Sequence, residues 1–433
     1  MRKKICVVSL TFICCLLLAG CSQRSDATSD GVTTIEVWLL PFVEPEKFEQ
    51  LVAEFNAEHD DIQVELTILA WSDGREQIKT ALISGNGPDV FYVGALDQSY
   101  INGALVSAKE MGMSEEELAA YSQLLDGYKV DDDILALPLG YEISVLFYRK
   151  DILAAHGYEQ PPGTWEELFD VSKDISDSTR QNGEPGTLGF QFNGMDEHLN
   201  AMNLSWGSML TAAGGSYLQD DQSSLATPAG EEALSFMKSF YTENVSVAGV
   251  SAVNGFTNGD VAMFTFTQPT ADQQDWYEDE QIKDKWAMAQ MPEGPASGAS
   301  HLAPHGIAVN ANGDNTEAAA EFAKWLAAPD KTSIFMESSH YVSPFEIEKL
   351  DESIQTDIAE VKAKTPEAWE AIDAQLEQSI EAGAAQLMQQ SKYGYTERWS
   401  AQQSYLVPAI TGEMPVEEAL QNIDIQVNQA INY

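Results

Sequence analysis

The amino-acid sequence predicts an α/β fold, and three observations carry that expectation. Residues 35–93 run in the order strand, helix, strand, helix, strand. Strand-like runs then recur among helical stretches along the rest of the 433-residue chain. No internal repeat, low-complexity tract or long linker interrupts them. Such alternation argues for mostly parallel sheets flanked by helices. The length suggests two or three domains at roughly 100–200 residues each. Scattered rather than clustered Gly and Pro favour two lobes with several crossings over beads on a string.

Residues 1–20 read as a leader. Arg2, Lys3 and Lys4 precede an apolar run from Ile5 to Ala19, which is short for a helix that must cross a bilayer. The segment ends Leu18, Ala19, Gly20, Cys21, which resembles the lipobox of bacterial lipoproteins. That resemblance implies lipid attachment at Cys21 and an exported chain held on the cell membrane, facing outside the cytoplasm. All four cysteines, Cys6, Cys14, Cys15 and Cys21, lie in this segment. The body therefore has no disulfide and must hold its fold by core burial. Residues 21–31 are polar and small, as a flexible tether is.

In the body, Ile35–Leu40 reads as a buried strand. The helix after it repeats apolar residues at three- and four-residue steps through Phe48, Leu51, Val52 and Phe55, with Pro45 suited to its first turn. Ile62–Leu69 alternates with Gln63, Glu65 and Thr67 as a half-buried strand does. A second helix around Gln77–Ser84 stops near Gly85 and Gly87, and Asp89–Val93 is a third strand. Thr164 and Glu167 stand at capping-box spacing ahead of the apolar face of Trp165, Leu168 and Val171. Thr227 and Pro228 open a helix through Phe236 and Phe240. Val261–Thr267, Trp286–Met291 and Gly306–Asn310 are strand-like, and from Thr316 the chain is mainly helical, including Thr316–Ala327 and Val416–Ile431.

With 44% hydrophobic and 9% aromatic residues, the chain has material for large cores. Its 23 Lys and Arg stand against 68 Asp and Glu, a net charge of −45, which becomes −48 once the three cations of the leader are removed. Nucleic acid and anionic membrane surfaces are poor partners for such a field. The body is expected to be a monomer without cofactors.

Six stretches resemble, in the same order, the extracellular solute-binding proteins of bacterial ABC importers, the sugar-binding group that includes maltose-binding protein. They are NGPDVFYV at 86–93, LALPLGYEISVLFYRKD at 135–151, PPGTWEEL at 161–168, AAGGSY at 212–217, NGDVAM at 258–263 and TGEMPVEEAL at 411–420. The resemblance covers nearly the whole mature chain. It implies a two-lobed periplasmic-binding-protein-like fold whose lobes are joined by crossing strands, with a solute held in the cleft between them. The lobes expected are 32–140 plus about 301–345, and 141–300 plus about 346–433. Closure would be a hinge motion stabilised by ligand contacts from both sides. A docked ABC permease would then receive the solute, with no bond broken and no catalytic residue needed.

Candidate contacts follow partly from the residues and partly from that likeness. Aromatic faces stack on the C–H faces of sugars while polar groups take the hydroxyls. The family places a stacking tryptophan about a dozen residues before a Thr/Ser-Gly turn, here Thr411 and Gly412, which points to Trp399. A helix contact in the second lobe is the alternative for that residue. Arg398 beside it offers a hydrogen-bonding fork or an exposed ion pair. Glu142 follows Pro138 where the family has a carboxylate reaching sugar hydroxyls, although a hinge salt bridge explains it equally well. Tyr141 shares the position, but neighbours on a strand point to opposite faces, so at most one of the two faces the cleft. Asp97 lies in the loop Gly94–Gln98 after the third strand, at the strand end where open α/β sheets bind ligands. Asn203 and Trp206, and likewise Phe266 and Gln268, resemble family stretches that line the cleft. Trp71 follows the second strand, and Phe42 occupies the first strand-to-helix loop. There the chain lacks the acidic-basic pair of some maltodextrin binders, which weakens maltose as the ligand. Trp38, Trp165, Trp286, Trp325 and Trp369 read as core, and Trp276 as partly exposed in a polar helix.

His301 and His305 flank Pro304 in an apparent loop, without helical zinc spacing, so no metal site is expected. Asp131, Asp132 and Asp133 lack the spacing of a calcium loop and suit a solvated hairpin turn. Two other functions compete with a sugar receptor. A secreted glycosidase needs two positioned carboxyl groups, which 68 acids supply somewhere without proving anything. A polyamine receptor would suit an acidic and aromatic cleft, and its binding would depend strongly on salt.

Overall fold

The computed structural model describes residues 31–96, 103–181, 183, 186–195, 200–268, 271–382 and 395–431. The leader, Cys21 and Asp97 lie outside the described residues. The chain enters β1 (Thr33–Leu39), where Ile35, Val37 and Leu39 are fully buried. α1 (Pro45–Glu58) starts on the expected proline and buries Phe48, Leu51 and Phe55, the stripe its periodicity marked. β2 (Ile62–Ile68), α2 (Gly74–Ile83) and β3 (Val90–Val93) complete the alternation. β1 pairs parallel with both β2 and β3, as helical crossovers require.

α3 (Glu115–Ala119) and a 3-10 turn at Gln123–Tyr128 lead into the hairpin of β4 (Lys129–Val130) and β5 (Asp133–Ile134). Asp131 takes a positive φ of 55° in its turn, so this acidic run is a hairpin as expected. β6 (Leu137–Arg149) then spans thirteen residues. α4 (Lys150–Ala155) and α5 (Trp165–Ser178) follow. The Thr164 hydroxyl accepts from Glu167 N at the start of α5, and the Glu167 carboxylate accepts from Gly163 N at 2.8 Å. β7 (Gln191–Phe192), α6 (Asn200–Ala212), the hairpin of β8 (Leu218–Gln219) and β9 (Gln222–Ser223), α7 (Pro228–Thr242) and α8 (Ala252–Asn258) come next. β10 (Met263–Thr267), β11 (Trp286–Ala289) and β12 (Leu302–Val309) are the remaining strands. The helices α9 (Thr316–Leu326), α10 (Thr332–Ser339), α11 (Glu352–Lys364), α12 (Pro366–Glu381), α13 (Tyr395–Ile410) and α14 (Val416–Ile431) finish the described chain.

The main sheet runs β2-β1-β3-β12-β6-β10-β7, with β11 also on β6. β6 is common to both halves of the molecule. Residues 137–143 pair antiparallel with β12, whereas 144–149 pair antiparallel with β10 and β11. β12 reaches β3 through 306–309. A third crossing passes at Val342, which exchanges backbone hydrogen bonds with Tyr141 at 2.9 and 3.0 Å.

Three apolar cores follow from this arrangement. The first joins the β1–β3 region to Ile307–Val309, α9 and Tyr341. The second fills the helical side of the other half, around Trp206, Phe240, Leu406 and Ile423. The third lies under β6, β10 and β11, with Tyr141, Ile143, Phe147, Phe264 and Trp369. Burying each such large side chain stabilises the fold by about 1.5–3 kcal/mol. On α10, Phe335 belongs to the first core and its neighbour Met336 to the third, which places that helix at the junction. Trp165, Trp286 and Trp369 are buried as expected. Trp276 is a correction: it sits in a 3-10 turn at Ala271–Tyr277, stacked on Phe256 and only 6% exposed.

Candidate functional site

The three crossings bring together side chains distant in sequence. β6 presents Glu142 opposite Ala303 of β12, and His305 two residues further along β12 turns its Nε2 to 3.2 Å from Glu142 Oε2. The Glu142 side chain is 13% exposed and that of His305 4%. The contact is one of proximity and charge, since His305 Nε2 makes no well-aligned hydrogen bond among the described residues. Burial pushes the Glu142 carboxyl up, but the charge and contact of His305, with His301 and Arg75 further off, hold it below the usual carboxylate range. It therefore stays ionised and accepts hydrogen bonds, and it is poorly suited to donate a proton to a leaving group.

The other ring nitrogen of His305 lies 3.1 Å from the Tyr92 hydroxyl on β3. Phe42 stacks on the same imidazole at 5.1 Å, and Trp71 stands edge-on to Tyr92 at 5.8 Å and to His305 at 6.0 Å. Arg75 in the first turn of α2 places its guanidinium 4.9 Å from the Trp71 ring, 5.8 Å from Tyr92 and 5.1 Å from Trp399. Trp399 belongs to α13, more than 300 residues further along the chain. One turn along α2, Lys79 forms an ion pair of 2.9 Å with Glu397. α2 and α13 thus touch through an ion pair and a cation–π contact.

The far wall is built on α6. A Cβ at Gly207 would collide with the Tyr217 hydroxyl and the His301 ring, so glycine lets both approach the helix. His301 N donates to Ser208 Oγ at 3.1 Å. Burial, reinforced by Arg398, pushes the His301 imidazole down to about 4 against the pull of Glu142. Arg398, only 3% exposed, lays its guanidinium over the Tyr217 ring at 4.2 Å.

Of the residues the sequence singled out, Glu142 and Trp71 neighbour His305, Trp71 and Trp399 both face Arg75, Arg398 lies over Tyr217, and Asn203 stands on α6 one turn before Gly207. Others are corrected. Tyr141 is fully buried in the third core, because alternation on β6 turns it away from Glu142. Gln268 is fully buried, and its Oε1 accepts from Ile143 N at 2.7 Å, so its amide extends the β6 ladder instead of facing a solute. Phe266 packs half-buried against the third core. Phe42 is 2% exposed, a support for His305 and not a free face. The ring of Trp206 is fully buried in the second core and presents no face to a solute, while its indole N–H has no hydrogen-bond partner among the described residues. The expected loop around His301 and His305 is instead the entry and body of β12, whose register shifts between His305 and Gly306. Sequence reasoning missed Arg75, Tyr92, Tyr217 and Gln402, and it weighed both histidines only as metal ligands. No group of three or more potential metal ligands occurs among the described residues.

Comparison with known proteins places this geometry. A family model described as bacterial extracellular solute-binding protein matches residues 50–365, more than half of the chain. A probable ABC transporter-binding protein of Deinococcus radiodurans is 24% identical over 250 residues, which is 55% of this chain and 58% of that protein. The galactooligosaccharide-binding protein of Bacillus subtilis is 24% identical over 290 residues, 60% of this chain and 66% of that one. The chain thus spans less than two thirds of either relative's length. An ABC substrate-binding protein from Listeria monocytogenes in complex with cycloalternan superposes with a TM-score of 0.74 at 19% identity, covering 93% of this chain and 100% of that one. Maltose-bound MalE3 of T. maritima gives 0.74 at 22%, covering 92% and 99%. These structures share the two-lobed α/β fold.

Proposed function

We propose, because this chain belongs to the bacterial extracellular solute-binding protein family, that it is the lipid-anchored receptor of an ABC importer and captures a saccharide, an oligosaccharide in particular, between its lobes. The observation that carries this is the convergence of Trp71 and Trp399, one from each side of the cleft, on a site that also holds the ionised Glu142. Aromatic faces suit the C–H faces of a sugar, and an ionised carboxylate suits its hydroxyls. Relatives named for oligosaccharides support the same class. Arg75 and Arg398 flank the site and oppose a polyamine. In this account the lobes are 32–140 with about 301–345, and 141–300 with about 346–433. They hinge about the three crossings, close on the sugar and deliver it to a membrane permease. Cys21 carries the lipid.

A thermal-shift screen over mono- and oligosaccharides tests the proposal. A ligand that binds only the folded state raises the midpoint with concentration. The expected outcome is such a rise for at least one saccharide, which product analysis then recovers intact. Release of shorter sugars would establish a glycosidase instead. A rise with spermidine alone, lost at high salt, would establish a polyamine receptor.

A further inference from the structure

α6 and α13 carry buried polar atoms that the other described residues do not satisfy. Asn203 is 2% exposed, yet both its Oδ1 and its Nδ2 are shielded and have no hydrogen-bond partner among the described residues. The same holds for Trp206 Nε1 in a residue with no exposure, and for Gln402 Nε2 in one 1% exposed. Leaving a buried polar group unsatisfied is expensive, and native folds seldom do so without a use for it.

These atoms share one wall. α6 packs against α13. Asn203 lies one turn before Gly207 on the same helical face, and Gly207 receives Tyr217 and His301. Tyr217 carries Arg398, and Gln402 lies one turn after Arg398 on α13. The inventory is mixed: Asn203 offers two donor hydrogens and an acceptor, Trp206 one donor and Gln402 Nε2 two. An ammonium group, a donor only, leaves the N–H groups unpaired. A carboxylate, an acceptor only, leaves Asn203 Oδ1 unpaired. Hydroxyl groups on adjacent carbons answer both ends of one amide.

We infer that Asn203 sets the specificity of this cleft by reading a pair of adjacent hydroxyls, with Trp206 Nε1 and Gln402 Nε2 donating to further oxygens of the same molecule. This rests on the saccharide assignment above. In this reading the sugar supplies the partners that the described residues do not.

The test uses the mature chain and the variant Asn203→Leu, which keeps the size and shape of the side chain without its polar atoms. Gln402→Met does the same on α13. Each is measured by scanning calorimetry without sugar and by titration with maltotriose, galactotriose and arabinotriose. For Asn203→Leu the sugar-free midpoint is expected to equal or exceed that of the wild type, while affinity for a trisaccharide the wild type binds falls about ten- to a hundredfold. Gln402→Met follows the same pattern with a smaller loss. A sugar-free midpoint lower by several degrees in both variants would show that the amides hold the fold, and overturns the inference. Unchanged affinity in Asn203→Leu overturns it too, leaving the saccharide assignment standing. A wild type that gives no heat with any of the three sugars overturns that assignment and this one with it.

Discussion

Replacing Arg75 by methionine is expected to open the sugar-free cleft. Of the three rings its guanidinium faces, Trp71 and Tyr92 lie on its own side and move with it, whereas Trp399 at 5.1 Å lies on the other. Opening therefore breaks one cation–π contact of the three. Such a contact contributes about 0.5–1 kcal/mol when exposed and about 2 when desolvated. Trp399 is half-buried, so about 1 kcal/mol is a fair value, or about a fivefold change in the ratio of closed to open forms. The Lys79–Glu397 pair remains in the variant and, at 15% and 33% side-chain exposure, adds up to about 1 kcal/mol to closure. The variant is thus shifted and not locked open. Because the body carries no cysteine, cysteines placed at the exposed Glu115 and Glu417 label cleanly for single-molecule energy transfer. The closed population should shrink by the stated factor, and apparent sugar affinity should fall with it if the closed form is the competent one. An unchanged distance distribution would refute the idea that Arg75 joins the two halves.

Three further outcomes are expected. Trp399→Ala should weaken sugar binding more than tenfold with little change in the sugar-free melting midpoint; unchanged affinity in titration calorimetry removes Trp399 from the site. His301 is held neutral, its pKa lowered from 6.5 to about 4, so between those values the unfolded chain binds a proton that the folded one refuses. Stability should accordingly fall as pH drops from 6.5 to 4, by about 3 kcal/mol at most from this group, and denaturant titrations of His301→Gln should show a shallower fall. Equal slopes would contradict the burial account. Cys21→Ser should leave the protein in the soluble fraction after cell breakage with its sugar affinity intact, and retention in the membrane fraction would contradict lipid attachment there.

Much of the fold was legible because its signals are local. The stripe Phe48, Leu51, Phe55 and the alternation of Ile62–Ile68 need no knowledge of the rest of the chain. β12 was read four residues short because Pro304 argues against a central strand. Here the strand tolerates it beside a shift in register at His305 and Gly306. Glu142 and Trp399 were singled out through motif likeness, and Arg398 through its place beside Trp399. Arg75 and Tyr92 carry no such mark. Their roles arise only when α2 meets α13 and β3 meets β12, contacts between segments hundreds of residues apart. The partnership of Glu142 with His305 likewise exists only through the register of β6 on β12.

The shared strand β6 also bears on how the chain is made. Its first half needs β12, which leaves the ribosome some 160 residues later, and the first core is not complete until Tyr341 has followed. Neither lobe is able to finish folding while the chain is still emerging, since each lacks a strand or helix from the far side. A protein bound for export gains from that delay, because translocation requires a chain that has not yet folded. The topology that ties the two halves together also keeps the nascent chain open until the last crossing is delivered.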